Sequence, residues 1–228
     1  MSGKMPPVRI GTWNLAGRWS DAHLALLLEA DCDVWLLTEV NERTNLPGYA
    51  VHLTQSRMAA RRRWAGIASR LPMASLPDPH PASAAAQVGA TTYVSSILPW
   101  KGCQSHAPWT GAKHADKTAH AVDDLLLHLR AADALVWGGD WNHALSGREY
   151  AGSLGGRKVV LDAVDQLNLV VPTADLPHPI DGLLSIDHVA VPRDTATTAS
   201  RIPAEHDGTR LSDHDAYVVE VFPTSVVE

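Results

Sequence analysis

The sequence predicts an α/β protein in which two β-sheets pack face to face and carry helices on their outer surfaces. Three observations lead there. Short apolar or alternating runs of strand length recur from Val8 to Phe222. A few stretches with apolar residues at helical spacing are interspersed among them. Many strand-like runs begin or end in Asn, Asp, Glu or His, as expected where loops build a site on the rim of a rigid frame.

Residues 8–13 alternate as a strand does and end at Asn14. Ser20 and Asp21 can cap a helix whose apolar stripe is Leu24, Leu27 and Leu28. The run 33–38 (DVWLLT) reads as a buried strand with Glu39 at its end. Residues 49–53 and 64–69 read as two more, joined through the basic segment 57–63. The β-branched run 90–97 carries Tyr93, and the loop 99–113 after it is rich in Gly, Pro, Trp and His. Over 116–132, Val122, Leu125, Leu126 and Leu129 recur at helical spacing. A second apolar run, 134–137, then leads through Gly138-Gly139 to Asp140. Residues 157–167 read as a further helix, and 185–191 and 216–222 as closing strands introduced by Asp187-His188 and Asp213-His214. The Ala-rich patch 82–86 and the Thr/Ala patch 195–200 are expected to be loops or strand ends. No linker or repeat divides the chain, so residues 1–228 are expected to form one domain with 1–7 flexible.

Composition narrows the function classes. Of 228 residues, 45% are hydrophobic and 19% charged, enough for a sizeable core. A net charge of -6 argues against an extended surface that tracks nucleic-acid phosphates. It leaves room for a nuclease in which a bound cation supplies the positive charge. Cys32 and Cys103 stand far apart, outside any ligand spacing, so neither a disulfide framework nor structural zinc is expected. No apolar signal region follows residues 1–7, and no run approaches the ~20 residues of a membrane span. A cytoplasmic protein with no protein partner in evidence is expected.

The chemistry concentrates in Asp140-Trp141-Asn142. On a strand, Asp140 and Asn142 point one way and Trp141 the other. That pairs an acceptor for a water or cation with a neutral donor. Asn14, Glu39, Tyr93, Asp187, Asp213 and His214 occupy comparable places near strand ends. Taken singly, a terminal Asn or Asp is ordinarily a turn or a cap. The ordered set asks for more.

Six segments in order, IGTWN (10–14), LLTEV (36–40), WAGIASR (64–70), GGDWN (138–142), SIDHV (185–189) and LSDHD (211–215), resemble the endonuclease/exonuclease/phosphatase superfamily. The resemblance implies a four-layer α/β sandwich of two mixed sheets flanked by helices, and metal-dependent phosphoester hydrolysis. It implies that Glu39 binds the metal, with Asn14 and Asp213 close to the same ion. Asp140 and Asn142 would position or activate the attacking water. His214 would contact the scissile phosphate, with Asp187 orienting it, and Tyr93 resembles the apurinic-endonuclease version of its strand. Those enzymes carry a second carboxylate where this chain has Ala16, which weakens that particular assignment.

Elementary chemistry agrees with the resemblance. Oxygen ligands such as Glu39 and Asp213 favour Mg²⁺, and Mn²⁺ suits the same site. No Ser or Cys stands in a nucleophile setting, so direct attack of a water is expected. Within Arg61-Arg62-Arg63, Arg62 is a candidate substrate contact, and Arg70 is a second; the alternative for the run is a solvated loop. Trp100, in the loop 99–113, could offer an aromatic face to a base or sugar, the loop acting as a lid or simply packing on the domain. Substrates remain divided between nucleic acid and a small or lipid-derived phosphate ester. A catalytically silent binding module on the same scaffold is a third reading, opposed by the full set of polar residues.

Overall fold

The computed structural model describes residues 6–222, so the flexible start expected over 1–7 lies, as far as residue 5, outside it. The elements in order are β1 (Val8–Asn14), α1 (Asp21–Glu29), β2 (Val34–Asn41), β3 (Ala50–Leu53), β4 (Arg57–Ala59), β5 (Arg62–Ser69), β6 (Met73–Ser75), β7 (Ser83–Val88) and β8 (Thr91–Ser96). There follow α2 (His114–Leu129), β9 (Leu135–Asp140), α3 (Leu154–Gln166), β10 (Leu169–Val170), β11 (Asp187–Pro192), β12 (Ala196–Ile202), β13 (Glu205–His206), β14 (Thr209–Arg210) and β15 (Ala216–Phe222). One sheet runs β12-β15-β1-β2-β5-β3, with β4 on β5; the other runs β10-β11-β9-β8-β7-β6. Both are mixed: β1 is parallel to β2 and β8 to β9, and the other pairs are antiparallel.

Three apolar clusters stack these into four layers. Ile10, Leu36, Ile67, Tyr93, Val136 and Val189 fill the space between the sheets. Trp35, Leu37 and Val218, on the outer face of the first sheet, pack against Leu26 and Leu27 of α1. Trp137 and Trp141, on the outer side of the second, pack against Leu125 and Leu129 of α2 and Val160 of α3. Each fully buried leucine contributes about 2 kcal/mol relative to exposure. Tertiary burial of this size overrides weak local preference, as in α3, which opens Leu154-Gly155-Gly156 and is held by Ser153 capping the Gly156 amide at 3.1 Å. At the start of α1, the expected Ser20 cap differs: its hydroxyl bonds His23 Nδ1 at 2.7 Å.

Two patches expected to be loops or strand ends lie within full strands. Residues 83–88 form β7, whose Ala84 and Ala86 press into the inter-sheet core. Small side chains there hide the alternation that marks a strand. Residues 196–202 form edge strand β12, with exposed and half-buried positions alternating along Thr and Ser.

The register aligns the functional ends. Asn14 of β1 pairs with Thr38, next to Glu39. Because β15 runs antiparallel to β1, with Tyr217 opposite Thr12, the residues leading into β15 come back beside Asn14. In the second sheet Asp187 pairs with Asp140, and the exit of β8 is tied there by Leu98 N–H donating to the Asp140 carbonyl at 3.0 Å.

Close backbone packing at this corner requires glycine. At Gly139, φ is +118°, and an added Cβ would sit 2.2 Å from the Ser96 carbonyl oxygen. We expect Gly139→Ala to cost about 2 kcal/mol or more, read as a lowered midpoint in urea unfolding. A midpoint equal to that of the parent would contradict this packing.

Candidate active site

The rim gathers Asn14, Glu39, Asp140, Asn142, Asp187 and His214, contributed by both sheets. Glu39 departs from regular strand geometry, with φ +49°, and its neighbour Gly17 donates an N–H to the Glu39 carbonyl at 2.8 Å. Asn14 is fully buried. Its Oδ1 accepts from the Ala16 amide at 2.9 Å, which turns its NH₂ toward two carboxylates. That NH₂ donates to Asp140 Oδ2 at 2.9 Å and to Glu39 Oε1 at 3.3 Å. Asn14 therefore spaces and bridges the two acids, presenting amide hydrogens to the gap.

Asp140 and Asn142 both line the cavity and Trp141 between them is buried in the outer core, but β9 ends at Asp140, so a turn and not strand alternation places Asn142. Asn142 takes a left-handed backbone, φ +53°, so its own N–H folds back onto Asp140 Oδ1 at 3.0 Å. Its side-chain amide donates to the Leu98 carbonyl at 3.0 Å. Burial pushes the Asp140 carboxyl up, to about 7, against the opposing pull of the His214 imidazolium. An acid poised there can accept a proton near neutral pH.

His214 Nδ1 lies 2.7 Å from Asp187 Oδ2, and its Nε2 lies 4.0 Å from Asp140 Oδ2. The three residues bring their ligand atoms within 4.8 Å of one another. Burial lowers the affinity of His214 for its proton, but the Asp187 and Asp140 carboxylates outweigh that and raise its pKa to about 10. With Nδ1 committed to Asp187, this trio reads as an oriented imidazolium. A hard cation is better served by the oxygens around Glu39. Trp13 Nε1 anchors the segment by donating to the His214 carbonyl at 3.1 Å.

A cavity of about 170 Å³ opens on this group, lined by Glu39, Met58, Ile97, Trp100, Asp140, Asn142 and His214. Trp100, expected as a substrate contact, is part of this lining. Arg62 also reaches the site, but its guanidinium pairs with Glu39 Oε2 at 2.6 Å. Gly17 makes room for it, since a Cβ there would come 2.2 Å from Arg62 Nε.

Three expected residues are placed elsewhere. Tyr93 lies in the inter-sheet core, paired with Val136, four residues short of Asp140; Ile97, at the exit of the same strand, reaches the cavity in its place. The sequence pattern located the strand, 90–97 expected against Thr91–Ser96 observed, but not which of its residues reaches the rim. Arg70 follows the opposite end of β5 from Arg62, where it pairs with Asp31 and covers the Tyr49 ring at 4.9 Å. Asp213 is exposed and absent from the cavity lining, with Ser212 Oγ 3.5 Å from its carboxylate, although its charge is near enough to help raise the pKa of His214. Met58 and Ile97 carried no chemical signal in the sequence. His178, unexplained there, packs edge-on against His214 with ring centres 6.4 Å apart, and Tyr150 packs on His178 at 5.3 Å. His143, which could have lined the rim, is wholly buried below it.

No family model matches the sequence, and no curated protein does either. Solved structures match in shape. An AP endonuclease from Archaeoglobus fulgidus superposes with a TM-score of 0.69 at 16% identity, covering 95% of this chain and 100% of that one. The 3'-5' exonuclease NExo of Neisseria meningitidis gives 0.63 at 17%, over 94% of this chain and 100% of that one. An endonuclease/exonuclease/phosphatase from Beutenbergia cavernae gives 0.65 at 15%, over 96% of this chain and 72% of that one. The chain has the endonuclease/exonuclease/phosphatase fold, a four-layer α/β sandwich. Among the described residues, no helix is long and apolar enough to cross a membrane.

The His214 ion pairs set a pH signature. The folded pKa lies above the ordinary value of 6.5, so this contribution to stability is fully present below about pH 6.5 and is lost as pH rises through about 10. NMR titration should show the ring protonated at pH 8, and Asp187→Asn should lower its pKa by about two pH units. A His214 titration near 6.5 in the unaltered protein would contradict the pairing.

Proposed function

We propose that the protein is a divalent-metal-dependent phosphoester hydrolase, most specifically a nuclease that cleaves phosphodiester bonds by direct attack of water. The observation that carries the reading is the convergence of Glu39, Asp140 and the Asp187–His214 pair on one cavity, from segments spread over the whole chain. The shared fold with an AP endonuclease and a 3'-5' exonuclease supports it.

The residues present fit a hard cation. Glu39 supplies an exposed-side oxygen, and a positive group, the Arg62 guanidinium, already stands against it. Glu39 would hold the ion, while the Asn14 oxygen, engaged by the Ala16 amide, faces away; Mg²⁺ or Mn²⁺, which retain several waters, suits so small a set of protein oxygens. When bound, the ion supplies charge neutralisation at a phosphoryl oxygen and at the leaving oxygen. Asp140 accepts the proton of the attacking water, held in aim by the Asn142 and Asn14 amides. The His214 imidazolium, fixed through Nδ1 by Asp187, donates from Nε2 to the non-bridging oxygen on which charge grows. Arg62, once released from Glu39, is placed to meet the substrate phosphate.

Plasmid DNA, single-stranded DNA, RNA and inositol phosphates, each assayed with Mg²⁺, Mn²⁺ and EDTA, test this reading. Cleavage of nucleic acid with either metal, and none in EDTA, is expected. Release of inorganic phosphate from inositol phosphates alone would replace the nuclease by a phosphatase. Asp140→Asn and His214→Ala should each lower kcat by ~10²-fold or more while circular dichroism stays unchanged. Full activity in either variant would remove that residue from the mechanism.

A further inference from the structure

We infer that the aromatic hollow beside the catalytic cavity binds an unpaired nucleobase, that of the nucleotide flanking the scissile phosphate, so that single-stranded nucleic acid is the preferred substrate class. This rests on the nuclease reading and specifies its substrate. The hollow encloses about 630 Å³, and its walls include Met58, Trp64, Trp100 and Trp109, with Arg57 and Gln104 among its polar members. Trp100 and Met58 also line the catalytic cavity, so the two spaces share a wall. A phosphate seated against His214 therefore places its neighbouring nucleoside at the mouth of the hollow.

The loop 99–113 that forms this wall is tied to its surroundings at several points. Lys117 of α2, itself buried, donates from Nζ to the Cys103 carbonyl at 2.6 Å. His114 Nε2 lies 2.9 Å from the Pro99 carbonyl, and the Lys101 amide donates to the Ala151 carbonyl at 2.7 Å. Trp109 stacks on His80 with ring centres 5.3 Å apart and meets Trp64 and Trp100 edge-on. A wall built this way loses little entropy when a ligand binds.

The lining selects the occupant. Flat apolar surface with a few hydrogen-bonding groups matches a nucleobase, which has a π face and a polar edge. An inositol ring has no such face. A base held in a duplex must first be unpaired and unstacked, at a cost of a few kcal/mol, whereas an unpaired base enters directly. Stacking on an aromatic side chain contributes about 1–3 kcal/mol per base. With a net charge of -6 the protein lacks the basic surface that would otherwise hold a strand.

The test uses the metal-loaded protein and a dinucleoside monophosphate, compared with two analogues that each lack one base. Removing the base that enters the hollow should lower kcat/KM about tenfold, chiefly through KM, as one stacking interaction predicts. In Trp100→Ala that tenfold ratio should fall toward one, and Trp100→Phe should restore part of it. Equal cleavage of all three compounds, or a ratio that Trp100→Ala leaves intact, overturns the inference while the nuclease reading stands. If none is cleaved the nuclease reading fails, and tryptophan fluorescence then decides the hollow separately. Saturable quenching by a nucleoside monophosphate but not by ribose 5-phosphate, lost in Trp100→Ala, supports a base site; quenching by neither, or by both alike, overturns it.

Discussion

Two carboxylates share one buried asparagine. The Asn14 NH₂ reaches Glu39 from the first sheet and Asp140 from the second, so a single side chain registers the two sheets at the rim where they meet. The amide places donor hydrogens between two groups that would otherwise repel across a poorly solvated gap. The second tie is ionic: His214, on the approach to β15 of the first sheet, pairs with Asp187 of β11 in the second. Separation of the sheets by an ångström would break both.

This arrangement gives up stability for chemistry. Asp140 and Asp187 are both removed from water, and Asp187 Oδ1 has no hydrogen-bond partner. Burial of an acid favours its neutral form, and Asp140 is accordingly held near 7. The surrounding fold tolerates this because the strand ends are carried by three apolar clusters with Trp35, Trp137 and Trp141 wholly buried. Supporting groups without a chemical role complete the frame. Trp13 holds the His214 backbone, and His188, its pKa lowered to about 4 by burial, holds the His143 carbonyl behind Asp140.

The sequence made legible what is periodic or chemically loud. Apolar strands such as DVWLLT announced the first sheet, and the polar ends of five strands announced the rim. Positions set by length or by contact were not legible. Tyr93 carries a hydroxyl, yet it lies four register positions short of Asp140 and serves as core, while the apolar Ile97 takes the cavity wall. Arg62 and Arg70 look equivalent in sequence, and the strand between them carries them to opposite ends of β5. Strand β7 escaped notice because alanine and serine pack tightly between sheets without the hydrophobic contrast on which periodicity depends.

Paramagnetic relaxation by Mn²⁺ examines most directly whether these side chains form one cation-and-phosphate centre. Added Mn²⁺ should broaden the imidazole signals of His214 and leave those of His128, exposed on α2, sharp. Sharp His214 signals at a Mn²⁺ concentration that saturates binding would mean the ion resides elsewhere, and the site described above would not be the catalytic one.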